Sequence, residues 1–142
     1  MLLIDGVRYD PYEYKDEKEL EDIFEEHAKE VFGEDVIYIE KMKIFSPTGV
    51  GVIPDGFAVT LREPLKWYVV EVERPEHDAY KHVEHQVSRF ITAIQNNAEQ
   101  QQQLIQHMNR VIRSKPKYES LIKERVGAEW YKSLSDLIQI LL

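Results

Sequence analysis

Residues 51–73, with the sequence GVIPDGFAVTLREPLKWYVVEVE, contain two apolar runs joined by the short polar turn Arg62-Glu63-Pro64-Leu65. Valine and aromatic residues dominate both runs, which is typical of β-strands. A third run of this kind precedes them, and the turn sequence Ser46-Pro47-Thr48-Gly49 separates it from the second. Because the connections are short, the three runs are expected to form an antiparallel meander. The predicted strands cover residues 36–45, 51–61 and 66–74.

Helical patterns flank the predicted sheet on both sides. Apolar residues recur at helical spacing over residues 20–32, after a capping box formed by Asp16 and Glu19 and before a stop at Gly33. A second helix is predicted over about residues 78–96. Its apolar pattern continues to Ile112 and is broken at Pro116. Shorter helical segments are predicted over 118–126 and 134–142, and residues 1–15 are expected to be turn-like.

Composition favours one α/β domain covering residues 1–142, with a core over about 16–95 and a helical C-terminal part over about 96–142. The chain has no cysteine, which excludes disulfide scaffolds, thiolate zinc sites and cysteine nucleophiles. No apolar run approaches the length of a membrane span, and the N-terminus lacks the pattern of a secretion signal. A cytoplasmic protein without a membrane partner is therefore expected.

The charge of the chain is uneven. The formal net charge is -8, yet residues 101–142 carry seven Lys and Arg against four Asp and Glu. Overall acidity disfavours strong nonspecific binding of nucleic acid, whereas a bound cation would reverse the local field at an acidic site. A polyanionic partner would approach the C-terminal basic residues. These are Arg110, Arg113, Lys115, Lys117, Lys123 and Arg125.

Three acidic residues interrupt the apolar strands. Asp55 lies in the second predicted strand, and Glu71 and Glu73 lie in the third, where alternation places them on the same face. Burial of a carboxylate costs several kcal/mol unless it is paired, protonated or bound to a cation. A meander would bring Asp55 beside Glu71. Three converging carboxylates would suit Mg²⁺, which prefers oxygen ligands.

A simpler interpretation of the same acids stays open at this stage. Glu71 and Glu73 would line the solvent face of a one-sided sheet, and Asp55-Gly56 would form an ordinary turn. Against this interpretation, the acids interrupt runs that otherwise have the composition of strands buried on both faces.

The order of these features resembles that of the PD-(D/E)XK nuclease superfamily. An acidic helix is followed by a strand with Pro54-Asp55, a strand with Glu71-Val72-Glu73 and a helix with Gln86. The resemblance covers roughly residues 16–95. It implies a restriction-endonuclease-like fold, in which helices flank a three-stranded antiparallel meander that a further strand usually extends.

The resemblance also implies a metal site. The family's Asp falls on Asp55 and the first carboxylate of its E-x-K motif falls on Glu71, so both are expected to hold Mg²⁺, with Mn²⁺ as a substitute. The Val72 carbonyl corresponds to a common additional ligand. The helix-one Glu falls on Glu17 or Glu21, which would complete the outer part of the site.

The chain departs from the family pattern at the lysine position, which is occupied by Glu73. Some restriction enzymes of this fold carry E-x-E, and Glu73 would then act as a ligand or orient the attacking water. Lys66 or Lys81 are candidates for a displaced cation. Gln86 matches a glutamine that orients the site or touches the phosphate, and Phe90 takes the place of the aromatic residue that often follows it.

Three functional hypotheses follow. The first is a divalent-metal-dependent endonuclease that hydrolyses phosphodiester bonds in nucleic acid, with DNA as the expected substrate. The second is a catalytically silent relative that binds nucleic acid or a protein. The third is an unrelated α/β interaction domain whose acids face water, separated from one another. The apolar C-terminus and the long helical pattern after residue 95 favour a homodimer.

Overall fold

The computed structural model describes residues 1–45, 51–74, 79–95 and 97–140 and has an α/β architecture. Its strands are β1 (Leu2–Ile4), β2 (Val7–Tyr9), β3 (Val36–Glu40), β4 (Ile44–Phe45), β5 (Gly51–Val52), β6 (Gly56–Thr60) and β7 (Lys66–Val70). Its helices are α1 (Glu17–Glu26), α2 (Ala28–Phe32), α3 (Ala79–Ile94), α4 (Ala98–Ser114), α5 (Pro116–Arg125) and α6 (Trp130–Ile140). The predicted turn at 46–49 lies outside the described residues.

The central sheet is the predicted antiparallel meander, in the order β3-β6-β7. Val59 of β6 lies opposite Ile37 of β3 on one side and opposite Trp67 of β7 on the other. Because β6 has a partner on both sides, four of its five residues, Gly56 to Val59, are buried.

Helices α1 and α2 cover one face of this sheet. Tyr38, Ala58 and Val70 form a buried cluster on that face with Ala28, and Phe24 of α1 packs against it. Side chains alternate between the two faces of a strand, so the intervening residues point to the opposite face. The sheet is therefore covered on both faces at β3 and β6, which explains the continuous apolar sequences of these two strands, whereas β7 leaves Lys66 and Tyr68 exposed.

The larger core lies on the opposite face. Ile39 and Phe57 of the sheet are fully buried there, in one cluster with Phe90 of α3, Met108 of α4 and Leu134 of α6. Full burial of an aliphatic or aromatic side chain contributes about 1.5–3 kcal/mol. Helices from the C-terminal part thus complete the core of the sheet.

The first helix begins as predicted but is interrupted near its end. The Asp16 carboxylate accepts a hydrogen bond of 2.8 Å from the Glu19 N–H, which confirms the N-cap. The Glu19 carboxylate accepts from the Lys15 N–H rather than from that of Asp16, so the reciprocal bond is displaced by one residue. A turn at His27 separates α1 from α2. Gly33 ends α2 with φ +94, which glycine adopts readily.

The predicted strands 36–45 and 51–61 were too long. β3 ends at Glu40, and the apolar residues after it pair with β5 in a separate two-stranded sheet. Pro54 separates β5 from β6 because it has no N–H to donate to a strand ladder. The second predicted strand is therefore two short strands.

The prediction that Glu71 and Glu73 lie within a strand was also wrong. β7 ends at Val70, and both acids follow it in non-strand conformation. The Val72 N–H donates to the side chain of Asp55 at 2.7 Å, so a carboxylate replaces a main-chain partner where the ladder stops. The bond between Val72 and Asp55 also places Glu71 and Glu73 beside β6.

Residues 1–15 contain a β-hairpin that the sequence analysis missed. β1 and β2 are antiparallel, and Asp5 and Gly6 form the turn between them with φ values of +50 and +78. An Asp-Gly pair with positive φ at both positions is characteristic of two-residue hairpin loops. The signal was therefore in the sequence, between two short apolar runs.

The C-terminal part is helical, as predicted, with changed boundaries. Pro116 begins α5 rather than only ending α4, because proline fits the first position of a helix. No strand follows β7 in the ranges that the structure describes. The apolar side of α4 is buried in the core of its own chain, so it gives no support for a homodimer. None of the helices, as far as they are described, has the length and apolar character needed to cross a membrane.

The N-cap of α1 provides a test of this fold. Replacing Asp16 with Ala should lower the free energy of unfolding by about 1 kcal/mol, because the Glu19 N–H loses its acceptor. Asp16→Asn keeps an acceptor and should stay within a few tenths of a kcal/mol of the wild type. Urea denaturation of the three proteins checks this, and equal stability of the Ala and Asn variants would contradict the cap.

Candidate functional site

Asp55 and Glu71 face each other at the end of the β6–β7 ladder. The last pair of that ladder is Gly56 with Val70. Asp55 comes one residue before Gly56 and Glu71 comes one residue after Val70, so both acids lie just beyond the ladder. Both are partly buried, and the Asp55 carboxyl is one of the causes that raise the pKa of Glu71. The structure therefore brings together the two residues that the sequence analysis placed at the centre of the site.

Burial perturbs both carboxyl groups. It raises the pKa of Glu71 to about 7, with further contributions from the Asp55 carboxyl and from the negative charges of Glu73 and Glu17. Burial also raises the pKa of Asp55, although the Val72 N–H opposes that rise. Glu71 Oε1 is buried and has no hydrogen-bond partner. Two desolvated carboxyl groups with an unpartnered oxygen are a candidate cation site, because a cation would offset their charge.

Helix α1 brings two further acids to this pair. Burial is the largest cause of the raised pKa of both Glu71 and Asp55. The negative charge of Glu17 adds to the rise at Glu71, and that of Glu21 adds to the rise at Asp55. Glu21 also forms an ion pair with Lys41, which follows β3. The sequence did not decide between Glu17 and Glu21 as the site residue, and the structure places both near the Asp55–Glu71 pair.

Lys41 is the residue that sequence reasoning missed. Its pKa is raised by the hydrogen bond to Glu21 and by the charges of Glu21 and Asp55. Its side chain is half exposed, with 50% of its surface accessible, and its ammonium group is paired with Glu21. In the sequence it fell within the predicted strand 36–45, and its approach to Asp55 depends on the pairing of β3 with β6.

Glu73 lies near the pair without completing a set of three ligands. Its charge contributes to the raised pKa of Glu71, and its Oε1 accepts a hydrogen bond of 3.2 Å from the Arg74 N–H. Among the described residues, no group of three His, Cys, Asp or Glu side chains is arranged to hold a metal ion. The convergence of Asp55 and Glu71 is thus found, whereas convergence of all three acids is not.

The other predicted site residues have different surroundings. Gln86 is partly buried on α3, and its side chain makes none of the hydrogen bonds found in the described residues. Phe90 packs in the core, with its ring 5.9 Å from those of both Phe57 and Trp67. Val72 contributes its N–H to Asp55, and binding through its carbonyl stays a prediction. Lys66 begins β7, at the end of the strand away from Glu71.

The C-terminal basic residues are mostly engaged with acids or aromatic rings. Lys115 pairs with Glu25 and Glu40, and Arg125 pairs with Asp35. Lys123 pairs with Glu119, and Arg113 lies over the ring of Trp130. Arg110 and Lys117 are exposed. The ion pairs hold the C-terminal helices to the rest of the chain or lie within α5, and three of the six cations, Lys115, Lys123 and Arg125, are paired with acids.

The geometry disfavours one interpretation of the acids. The hypothesis of an unrelated domain expected Asp55 and Glu71 to be exposed and separated, whereas they are partly buried and lie just beyond the Gly56–Val70 pair of the same ladder. Comparison with protein-family models, with curated proteins and with solved structures finds no match. The nuclease resemblance therefore depends on the order of elements and residues in this chain.

The raised pKa of Glu71 predicts a pH dependence of stability. A carboxyl group whose pKa is about 7 when folded and near 4.5 when unfolded takes up a proton on folding. The stability that this carboxyl group contributes to the folded state is fully present below pH 4.5 and is lost as the pH rises through 7. In the presence of a chelator, Glu71→Gln should therefore raise the free energy of unfolding at pH 8 by roughly 1–2 kcal/mol, allowing for solvent screening at this partly exposed group.

At pH 4.5 the substitution should have little effect, because the wild-type carboxyl is then protonated. The exposed Glu84→Gln on α3 serves as the control and should show no such difference between the two pH values. Urea denaturation at both pH values measures the change. An equal effect of Glu71→Gln at pH 4.5 and pH 8 would contradict the raised pKa.

Proposed function

We propose that this chain is a divalent-metal-dependent nuclease that hydrolyses phosphodiester bonds in nucleic acid. The observation that supports the proposal best is the partly buried Asp55–Glu71 pair. This pair lies at the end of the β6–β7 ladder of the meander, beside an acidic helix. The coarse α/β architecture is compatible with a restriction-endonuclease-like fold, which forms part of the proposal.

The residues at this edge fit a magnesium ion. Mg²⁺ is commonly held by one or two carboxylates, with water and substrate phosphate as the remaining ligands. Asp55 and Glu71 supply two carboxylates, and the buried Glu71 Oε1 lacks any other partner. A bound cation would offset the repulsion between the two ionised acids. Two protein carboxylates are therefore sufficient for this type of site.

Each residue of the site has a role in this proposal. A bound divalent ion would supply the acidity needed to activate water and to offset charge on a phosphoryl group. Asp55 and Glu71 would hold the ion, with the Val72 carbonyl as a further ligand and Glu73 orienting water. Glu17 and Glu21 would complete the outer part of the site.

In the family pattern a lysine stands where this chain has Glu73. In this proposal Lys41 takes the role of that lysine. Its side chain is half exposed and its charge is electrostatically coupled to Asp55, so it would face a phosphate bound at the two carboxylates. A cation beside a developing negative charge stabilises the transition state. Gln86 remains a proposed phosphate contact on α3.

A nucleic acid, with DNA as the expected form, is the partner that this chemistry requires. The chain is acidic overall, so attraction of the phosphates would depend on the bound cation and on Lys41 rather than on a broad basic surface. Association into a homodimer is a separate prediction.

A second candidate is a binding protein of the same fold without cleavage activity. Two observations favour it: an acid occupies position 73, and Lys41 is tied to Glu21. Both would weaken stabilisation of a phosphoryl transition state while leaving the binding of a cation intact. The two candidates therefore share a metal site and differ in turnover.

Metal binding at Asp55 is tested by thermal unfolding with Mg²⁺ or Mn²⁺ in the millimolar range. The ions should raise the unfolding temperature of the wild type by roughly 5 °C, because they bind only the folded state. Asp55→Asn should abolish this metal-induced shift, whereas the exposed control Asp136→Asn on α6 should retain it. The shift is the relevant quantity, since removing an acid stabilises the metal-free protein by itself.

The same proteins are then incubated with plasmid DNA, single-stranded DNA and RNA. The nuclease proposal expects metal-dependent cleavage that Asp55→Asn abolishes. A metal-induced shift without cleavage would favour the silent relative, and the absence of any shift would contradict the metal site of both candidates.

The role of Lys41 is tested by Lys41→Met. Cleavage should slow by about a hundredfold, because one charge opposite the phosphoryl group is lost. The metal-induced rise in unfolding temperature should persist, since Lys41 is not a proposed ligand. Lys66→Met at the opposite end of β7 is the matched control, and an equal loss of rate in both variants would contradict the assignment.

A further inference from the structure

Tyr38 lies under the main chain of Asp55. It is in the middle of β3, only 5% exposed, on the face of the sheet that α1 covers. Its hydroxyl donates a hydrogen bond of 3.0 Å to the Asp55 carbonyl oxygen. Asp55 precedes β6 and therefore lies outside the regular ladder, so this bond holds a segment that the sheet itself does not.

The fit of Tyr38 depends on the residue after Asp55. A Cβ atom at Gly56 would lie 2.2 Å from the tyrosine hydroxyl oxygen and 2.4 Å from the ring carbon that carries it. No side chain is compatible with such a distance, so glycine is required for the ring to reach the Asp55 carbonyl. Gly56 is in β6 with an ordinary φ, which shows that close approach, rather than backbone conformation, is the reason for glycine here.

Tyr38 also contacts the helix that carries the outer acids. Its ring meets that of Phe24 edge-on, with 5.6 Å between the ring centroids. Phe24 is one turn of α1 beyond Glu21, which pairs with Lys41. One buried side chain thus contacts both the strand end that bears Asp55 and the helix that bears Glu21.

Asp55 is held from two sides. Its carbonyl oxygen accepts from Tyr38, and its Oδ2 accepts from the Val72 N–H at 2.7 Å. Burial raises the pKa of Tyr38, and the charges of Glu25, Asp55 and Glu21 add to that rise, so the hydroxyl remains a hydrogen-bond donor. If the main chain of Asp55 shifted, its carboxylate could not keep its bond to Val72 and its position opposite Glu71.

We propose that Tyr38 is a positioning residue: its hydroxyl fixes the Asp55 main chain so that the Asp55 carboxylate meets the Val72 N–H and Glu71 in one geometry. The positioning itself follows from the contacts above, and its consequence for metal binding rests on the proposed function. Residues that orient a ligand without touching the metal commonly affect metal affinity by about 10–100-fold.

The test is Tyr38→Phe, which keeps the ring in its place beside Gly56 and removes only the hydroxyl. Tyr68→Phe is the matched control, because Tyr68 is 46% exposed on β7. The first measurement is hydrogen exchange of the Val72 amide in metal-free protein, with the amides of β3 and β6 as internal references. We expect exchange at Val72 to be about tenfold faster in Tyr38→Phe and unchanged in Tyr68→Phe.

The second measurement is the affinity for Mn²⁺, obtained by titration calorimetry. We expect it to be about tenfold weaker in Tyr38→Phe than in the wild type and in Tyr68→Phe. Faster exchange at Val72 without any Mn²⁺ binding by the wild type would support the positioning role and contradict the metal site. Unchanged exchange at Val72, or a uniform increase over the whole sheet, would overturn the positioning role.

Discussion

The desolvation of two acids at the end of the β6–β7 ladder is the constraint around which the site is arranged. Asp55 and Glu71 meet where the ladder stops, and burial raises the pKa of both. Two ionised carboxylates in this position would repel each other and lack the solvation of water. The Val72 N–H offsets part of this cost at Asp55, and Glu71 Oε1 is left without a partner.

The layers around the sheet keep this pair in place. The face with Tyr38 packs against α1, and the opposite face packs against helices of the C-terminal part. Glu17 and Glu21 approach the pair because α1 crosses the same end of the sheet, which increases the local negative charge. Lys41 partly compensates that charge through Glu21. Partly buried acids with raised pKa values at one end of a sheet are a feature that makes this end a candidate binding site.

Much of the architecture could be predicted because it depends on local patterns. Alternation, capping signals and helical periodicity predict four features: the meander, the Asp16 cap, the stop at Gly33 and the helical C-terminal part. Strand ends were predicted poorly, since the apolar pattern continues beyond the point where the ladder stops. The hairpin at the N-terminus was overlooked although its Asp-Gly turn is a recognised signal.

The amino-acid sequence alone shows that acids interrupt apolar runs, and in a meander this order makes Asp55 and Glu71 neighbours. It could not show that Glu73 would leave the strand, because that depends on the hydrogen bond between Val72 and the side chain of Asp55. Nor could it show the parts of Lys41 and Tyr38, which reach Asp55 only through the pairing of β3 with β6 and the close approach at Gly56. Contacts between residues far apart in the chain decide the charge and geometry of the site, since local periodicity carries no information about which side chains share one end of a sheet.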